Sequence, residues 1–248
     1  MILGLLTAQV LCAHYELTVV TGSRKHAGTG GSIEATIIGS KGSLNLGVLE
    51  DFELGAVDNF KGPDSSPNIG KIECVEITAL SSDAWMVDYM IVHDGSSETY
   101  IYNTEGDYMS SDTGEGKDNK QFCRQGDATY RFEITTATDK NASTNNIHAR
   151  VTVSSKGNKG NTTTGILDNK EINDFELGAV DTFILHNLKN VGKVGCVFLT
   201  VEEDDAWLFE TITVKRGKMS RTFQNTDKVW LSSDLTEGSN TDELEICF

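Results

Sequence analysis

Carboxylates are the side chains of this chain that recur at matched positions with the potential for chemistry. Asp58 and Asp181 close two copies of one eight-residue stretch. Asp83 and Asp205 each stand two residues before a tryptophan, and Glu202, Glu203, Asp204 and Asp205 run consecutively. A hard cation such as calcium takes about six to eight oxygens converging from loops. This pattern predicts weak calcium binding, stronger in the second half, where the acidic run accompanies Asp181, than in the first, where Asp83 stands with Asp58. No EF-hand spacing occurs, and consecutive side chains leaving a strand point in different directions, so a solvated acidic loop is the competing reading.

The cysteines form the second symmetric set. Cys12 lies in the first apolar run, and the other four, Cys74, Cys123, Cys196 and Cys247, fall at equivalent places in the two halves. Four cysteines allow three connectivities, but a duplicated unit should carry its own bridge, which pairs Cys74 with Cys123 and Cys196 with Cys247. Disulfides of this kind belong to an oxidising, extracellular setting. Two glycosylation acceptors, Asn141-Ala142-Ser143 and Asn161-Thr162-Thr163, lie in polar stretches as a secreted protein would place them. Of catalytic patterns there is little. The five histidines have no counterparts between the halves, no zinc-binding helix motif or Gly-x-Ser-x-Gly elbow is present, and Lys25 precedes Gly28, Gly30 and Gly31 instead of following them as in a phosphate-cradling loop. A non-catalytic protein is expected.

What positions these residues is a duplication. Asp51-Phe52-Glu53-Leu54-Gly55-Ala56-Val57-Asp58 returns as Asp174 to Asp181, and Phe60 as Phe183. In register with this anchor, Cys74 faces Cys196, Trp85 faces Trp207, Tyr108 faces Trp230, and Tyr15 to Gly39 face Tyr130 to Val153. The 248 residues then divide into a signal peptide at 1–13, a first domain at 14–123, a linker at 124–129 and a second domain at 130–248. The run Ile2 to Leu11 is too short to span a bilayer and is read as the signal, cleaved after Ala13; no transmembrane segment is expected. With 37 acidic against 21 basic residues the net charge is −16, which repels nucleic-acid backbones and anionic membranes unless cations intervene.

Period-two alternation dominates, as in Tyr15-Glu16-Leu17-Thr18-Val19 and Tyr130-Arg131-Phe132-Glu133-Ile134, and no sustained helical stripe occurs. The fold class is all-β, two tandem antiparallel sandwiches. Trp85 and Trp207 read as core residues, with Met86 and Leu208 as exposed apolar contacts. In the repeated stretch, Phe52, Leu54 and Phe60 (Phe175, Leu177 and Phe183) read as one core-facing row, with Gly55 and Gly178 permitting a bend.

Tyr15, Leu17, Val19, Thr21 and Gly22, then Ala27-Gly28-Thr29, Phe52, Gly55, Asp58 and Phe60, Ile69-Gly70-Lys71-Ile72 and Trp85 together resemble the PLAT (LH2) domain. That β-sandwich accompanies lipoxygenase and lipase catalytic domains and occurs in polycystins and clostridial alpha-toxin. The second copy repeats the later pieces, from Phe175 to Trp230-Leu231. The resemblance implies two four-stranded sheets per domain and docking to a lipid surface or a partner protein, sometimes with calcium. The family's Gly-Thr pair is usually followed by a calcium-binding Asp; that place is Gly30 here and Thr144 in the second copy, whereas Asp58 and Asp181 keep the family's acidic position. Two functions fit: a secreted binding module for lipid or extracellular protein, and an acidic matrix or mineral-associated protein whose dispersed carboxylates gather calcium.

Overall fold

The computed structural model describes residues 13–95, 97–143, 148–155, 160–167, 173–202, 205–234, 236 and 238–248. All regular structure among them is β, and the chain divides into two compact units. The first comprises the chain to Ile101 with Asp107–Cys123; the second comprises Tyr102–Gly106 with Arg124–Phe248.

In the first unit, β1 (Glu16–Thr21), β4 (Val57–Lys61), β6 (Val87–His93) and β7 (Glu98–Tyr102) form one antiparallel sheet in the order β4-β1-β6-β7. The other sheet, β3-β2-β5-β8, is built from β2 (Ile33–Gly39), β3 (Gly42–Leu49), β5 (Ile72–Ala79) and β8 (Asn119–Cys123). Alternation decides the faces. In β2, Ile33, Ala35 and Ile37 point inward and are fully buried, and they share one core with Leu17, Val19, Met90 and Val92 of the opposing sheet.

The second unit repeats this order. Its first sheet is β12 (Val180–Leu188), β9 (Ala128–Thr136), β14 (Phe209–Arg216) and β15 (Met219–Gln224); the other is β11 (Asn161–Thr163), β10 (Ala149–Ser155), β13 (Val194–Val201) and β16 (Glu243–Cys247). Its core contains Phe132, Ile134, Val151, Val197, Leu199 and Ile212, all inaccessible to solvent. Strand β9 begins at Ala128, so the connecting stretch after Cys123 is short.

Both bridges form as expected. Cys74 lies directly opposite Cys123 across β5 and β8, and Cys196 opposite Cys247 across β13 and β16. Each ties an outermost strand to its neighbour. The tryptophans are core residues: Trp85 Nε1 donates to Thr21 Oγ1 at 3.1 Å and Trp207 Nε1 to Thr136 Oγ1 at 3.2 Å, which satisfies the one polar group each ring carries inside.

Two expectations are corrected. Leu54 and Leu177 are not in the core; they are 55% and 50% exposed, because the repeated stretch is not extended there. Ala56 N–H donates to Glu53 O and Ala179 N–H to Glu176 O, closing β-turns whose third residues, Gly55 and Gly178, have φ of 68° and 69°. The leucine precedes that glycine at the turn's tip and points out. Met86 and Leu208 are, conversely, fully buried. The loop after β1 folds over Met86, whose Cε lies so close to Gly22 that a Cβ there would stand 2.4 Å away, while Leu208 packs with Ala137 and Ala142. Of the signal read at 1–13, residues 1–12 fall outside the described residues, and Ala13, its last, donates its N–H to Ser66 O at 3.1 Å.

Candidate functional site

Four loops meet at one end of each sandwich. In the first unit Gly55 N–H donates to Gly22 O, Gly22 N–H to Met86 O, Thr29 N–H to Phe52 O, and Trp85 pairs with Met109. The second unit repeats the pattern: Gly178 N–H donates to Ala137 O, Ala137 N–H to Leu208 O, and Trp207 pairs with Leu231.

On this scaffold three side-chain types recur. Leu54 and Leu177 occupy turn tips, and Val57 and Val180, about half exposed, follow at the starts of β4 and β12. Lys25 and Lys140 occupy matching turns: Ala27 N–H donates to Arg24 O and Ala142 N–H to Asp139 O. The residue after each lysine, His26 or Asn141, is left-handed with φ of 66° or 67°. The aromatics are Tyr108, whose hydroxyl reaches Lys25 O at 3.5 Å, and Trp230, which packs against Ala137, Ala142 and Leu208. An apolar tip, an ammonium and an amphipathic ring thus stand together on each loop end.

The acidic residues sort differently. Asp58 lies on β4 opposite Val19, and burial pushes its carboxyl above the usual range, reinforced by the charges of Asp51 and then Glu53. Its Oδ2 is buried and accepts no hydrogen bond. Asp181 is also raised, first by burial and then by Glu176, against the lowering effect of the Phe175 N–H at 2.8 Å and of Asp174. The charges of Asp51 and Glu53 thus bear on Asp58, and that of Glu176 on Asp181, without either stretch bringing three carboxylates within 4.8 Å of one another. Asp83 is engaged locally: its Oδ2 accepts from Thr29 Oγ1 at 2.8 Å and from Gly30 N–H at 3.2 Å, so a carboxylate stands beside position 30 although the residue there is glycine. Glu202 pairs with the buried Arg150, and Asp205 is exposed. Glu203, Asp204 and Thr144 lie outside the described residues. Among the described residues, the one close trio of potential metal ligands is Cys196, Glu245 and Cys247, and both sulfurs are spent in the disulfide.

The PLAT/LH2 domain model matches residues 15–110 and 130–243, one match for each sandwich. The chain belongs to the PLAT/LH2 family. Among solved structures, these PLAT units resemble part of a coral 8R-lipoxygenase described as calcium-activated through a C2-like domain, at 18% identity and a TM-score of 0.40. That match covers 48% of this chain and 17% of the lipoxygenase. A lipoxygenase variant in complex with arachidonate matches at 20% identity and a TM-score of 0.38, over 47% and 17% of the two chains. About half of this chain thus corresponds to about a sixth of either lipoxygenase. A comparison with curated proteins finds no match.

PLAT membership makes the chain a lipid- or protein-binding module in class, and among the described residues no helix is long and apolar enough to cross a membrane. Sequence reasoning missed the leucine tips and the placing of Lys25 with Tyr108, and of Lys140 with Trp230, at the same loop ends. A signal for the first was present. Leu-Gly at the centre of a four-residue turn places the leucine at the tip, and the glycine at the position that needs positive φ.

Proposed function

We propose that this is a secreted, non-catalytic docking protein whose PLAT loop ends seat on a lipid surface with the help of calcium. The observation that carries the reading is the duplicated surface: an exposed leucine, a lysine and an aromatic at equivalent places, held by the same backbone hydrogen bonds. Seating a leucine in the acyl boundary returns about 1.5–3 kcal/mol. The lysine meets headgroup phosphate, and tyrosine or tryptophan suits the interface between apolar and wet layers. A chain of charge −16 is repelled by anionic lipid, and burial, reinforced by neighbouring carboxylates, raises the carboxyls of Asp58 and Asp181. Calcium between Asp51, Glu53, Asp58 and a headgroup phosphate would remove both costs, with Asp174, Glu176 and Asp181 doing the same in the second unit. The loose ligand set implies binding in the range of extracellular modules, about 0.1–1 mM. Two disulfides support the extracellular setting.

The high net charge also favours a second reading, an acidic matrix component that gathers calcium through dispersed carboxylates. Vesicle co-sedimentation separates the two. Docking predicts calcium-dependent pelleting with mixed phosphatidylcholine and phosphatidylserine vesicles, lost in L54S/L177S. Calcium binding by calorimetry with no pelleting at any calcium level would favour the matrix reading.

A further inference from the structure

We propose that Asn141 carries an N-linked glycan whose first sugar lies over Trp230, so that the second loop end is covered and docking falls to the first unit. Asn141 opens the acceptor Asn141-Ala142-Ser143, and its side chain is exposed at the left-handed third position of the Asp139–Ala142 turn. The turn is also fastened to the loop that bears the aromatic. Lys228 Nζ contacts both carboxylate oxygens of Asp139, at 2.9 and 3.1 Å, and Trp230 packs on Ala142, the residue after the acceptor.

Between them runs an open groove of about 650 Å³ lined by Lys140, Asn141, Asp205, Ala206, Trp230 and Gly238. Its chemistry suits a sugar: an indole offers an apolar body for the C–H face, while the ammonium and the carboxylate can bond hydroxyls. In the transfer, the Asn141 amide nitrogen bonds the anomeric carbon of a lipid-linked oligosaccharide. The bond from that carbon to the pyrophosphate breaks, the lipid pyrophosphate leaves, and the nitrogen loses one proton. The matching place in the first unit is His26, which offers no acceptor, so Lys25 and Tyr108 stay open. The other acceptor, Asn161, sits in β11 with its Thr163 hydroxyl bonded to Thr152, away from this loop end.

The glycan assignment needs only the secretory setting; its consequence for docking rests also on the lipid reading. The test expresses the full chain through a eukaryotic secretory pathway and maps glycopeptides. Trp85 and Trp207 are buried, which makes acrylamide quenching of tryptophan fluorescence a report on Trp230. Occupancy at Asn141 is expected, with quenching increased in N141Q and in S143A but unchanged in N161Q. The N141Q protein should also pellet more strongly with vesicles, and a further L177S change should cancel that gain. Secreted chain bare at Asn141, or quenching equal in N141Q and parent, overturns the assignment while leaving the docking reading intact. A chain retained unmodified inside the cell overturns both. Occupancy with no gain of pelleting in N141Q overturns the masking role.

Discussion

Asp181 and Asp58 carry their charge at a cost to the fold. A carboxyl whose folded pKa lies above its unfolded value of about 3.9 is favoured by folding in its protonated form. Its stabilising contribution is present below that unfolded value and is lost as pH rises through the higher folded one. At neutral pH and without calcium the charge is therefore a liability, so D181N should raise the melting temperature at pH 7. The gap to the parent should narrow as the pH falls through the folded pKa. Glu133 behaves oppositely, since its hydrogen bond to Lys215 lowers its pKa and its contribution disappears on acidification. The comparison must therefore be parent against variant at each pH. Calcium should stabilise the parent and leave D181N less affected; equal calcium shifts in both would remove Asp181 from any cation site. The aromatics of the same stretch hold the fold. Phe175 is 2% exposed and contacts both Phe183 and Trp207, with ring centroids 5.7 and 4.8 Å apart. F175A should cost about 3–5 kcal/mol in urea denaturation. F183A should cost more than F60A, because Phe183 is buried whereas Phe60 is half-buried.

The turn between Glu53 and Ala56 shows how one element divides its roles. Phe52 goes inward, Gly55 takes the positive φ, and Leu54 is presented outward with no packing duty. L54S and L177S should each leave unfolding free energy within about 0.5 kcal/mol of the parent, which differential denaturation can check. The disulfides act on the outermost strands β8 and β16. Each joins residues about fifty apart (49 and 51), so opening one by paired serine substitution should cost about 4 kcal/mol in the chain-entropy account. The strands, the pairing of cysteines and the buried tryptophans were legible in the sequence because a duplication shows each constraint twice and period-two alternation reports a pleated, half-buried strand. Leu54 and Leu177 were not, since the same alternation, carried through a turn, puts the tip residue on the wrong face. Met86 and Leu208 failed for a related reason. Each is next to a tryptophan that enters the core, so alternation sends it outward, but the loop after β1 or β9 folds back and covers it. Loop closure of that kind has no periodic signature. The influence of the Asp51 and Glu53 charges on Asp58 depends on the same turn and was hidden with it.

At the scale of the whole molecule, a surface of net charge −16 and a duplicated loop end with apolar tips pull in opposite directions. On the docking proposal, the long-range field keeps the calcium-free chain off anionic lipid, and the leucines alone do not overcome it. On the same proposal, calcium neutralises that field locally so that the tips enter. Binding should therefore require calcium and fall when phosphatidylserine is omitted. It should weaken with salt less steeply than a purely electrostatic contact, because part of the energy is apolar. The most direct test is co-sedimentation of the non-glycosylated full chain, disulfides formed, with phosphatidylcholine and phosphatidylserine vesicles at about 1 mM calcium and in chelator. The parent and L54S/L177S are compared at equal melting temperature. The account predicts that the parent pellets with calcium and stays soluble in chelator, and that the double variant stays soluble in both. A double variant that pellets like the parent would contradict it.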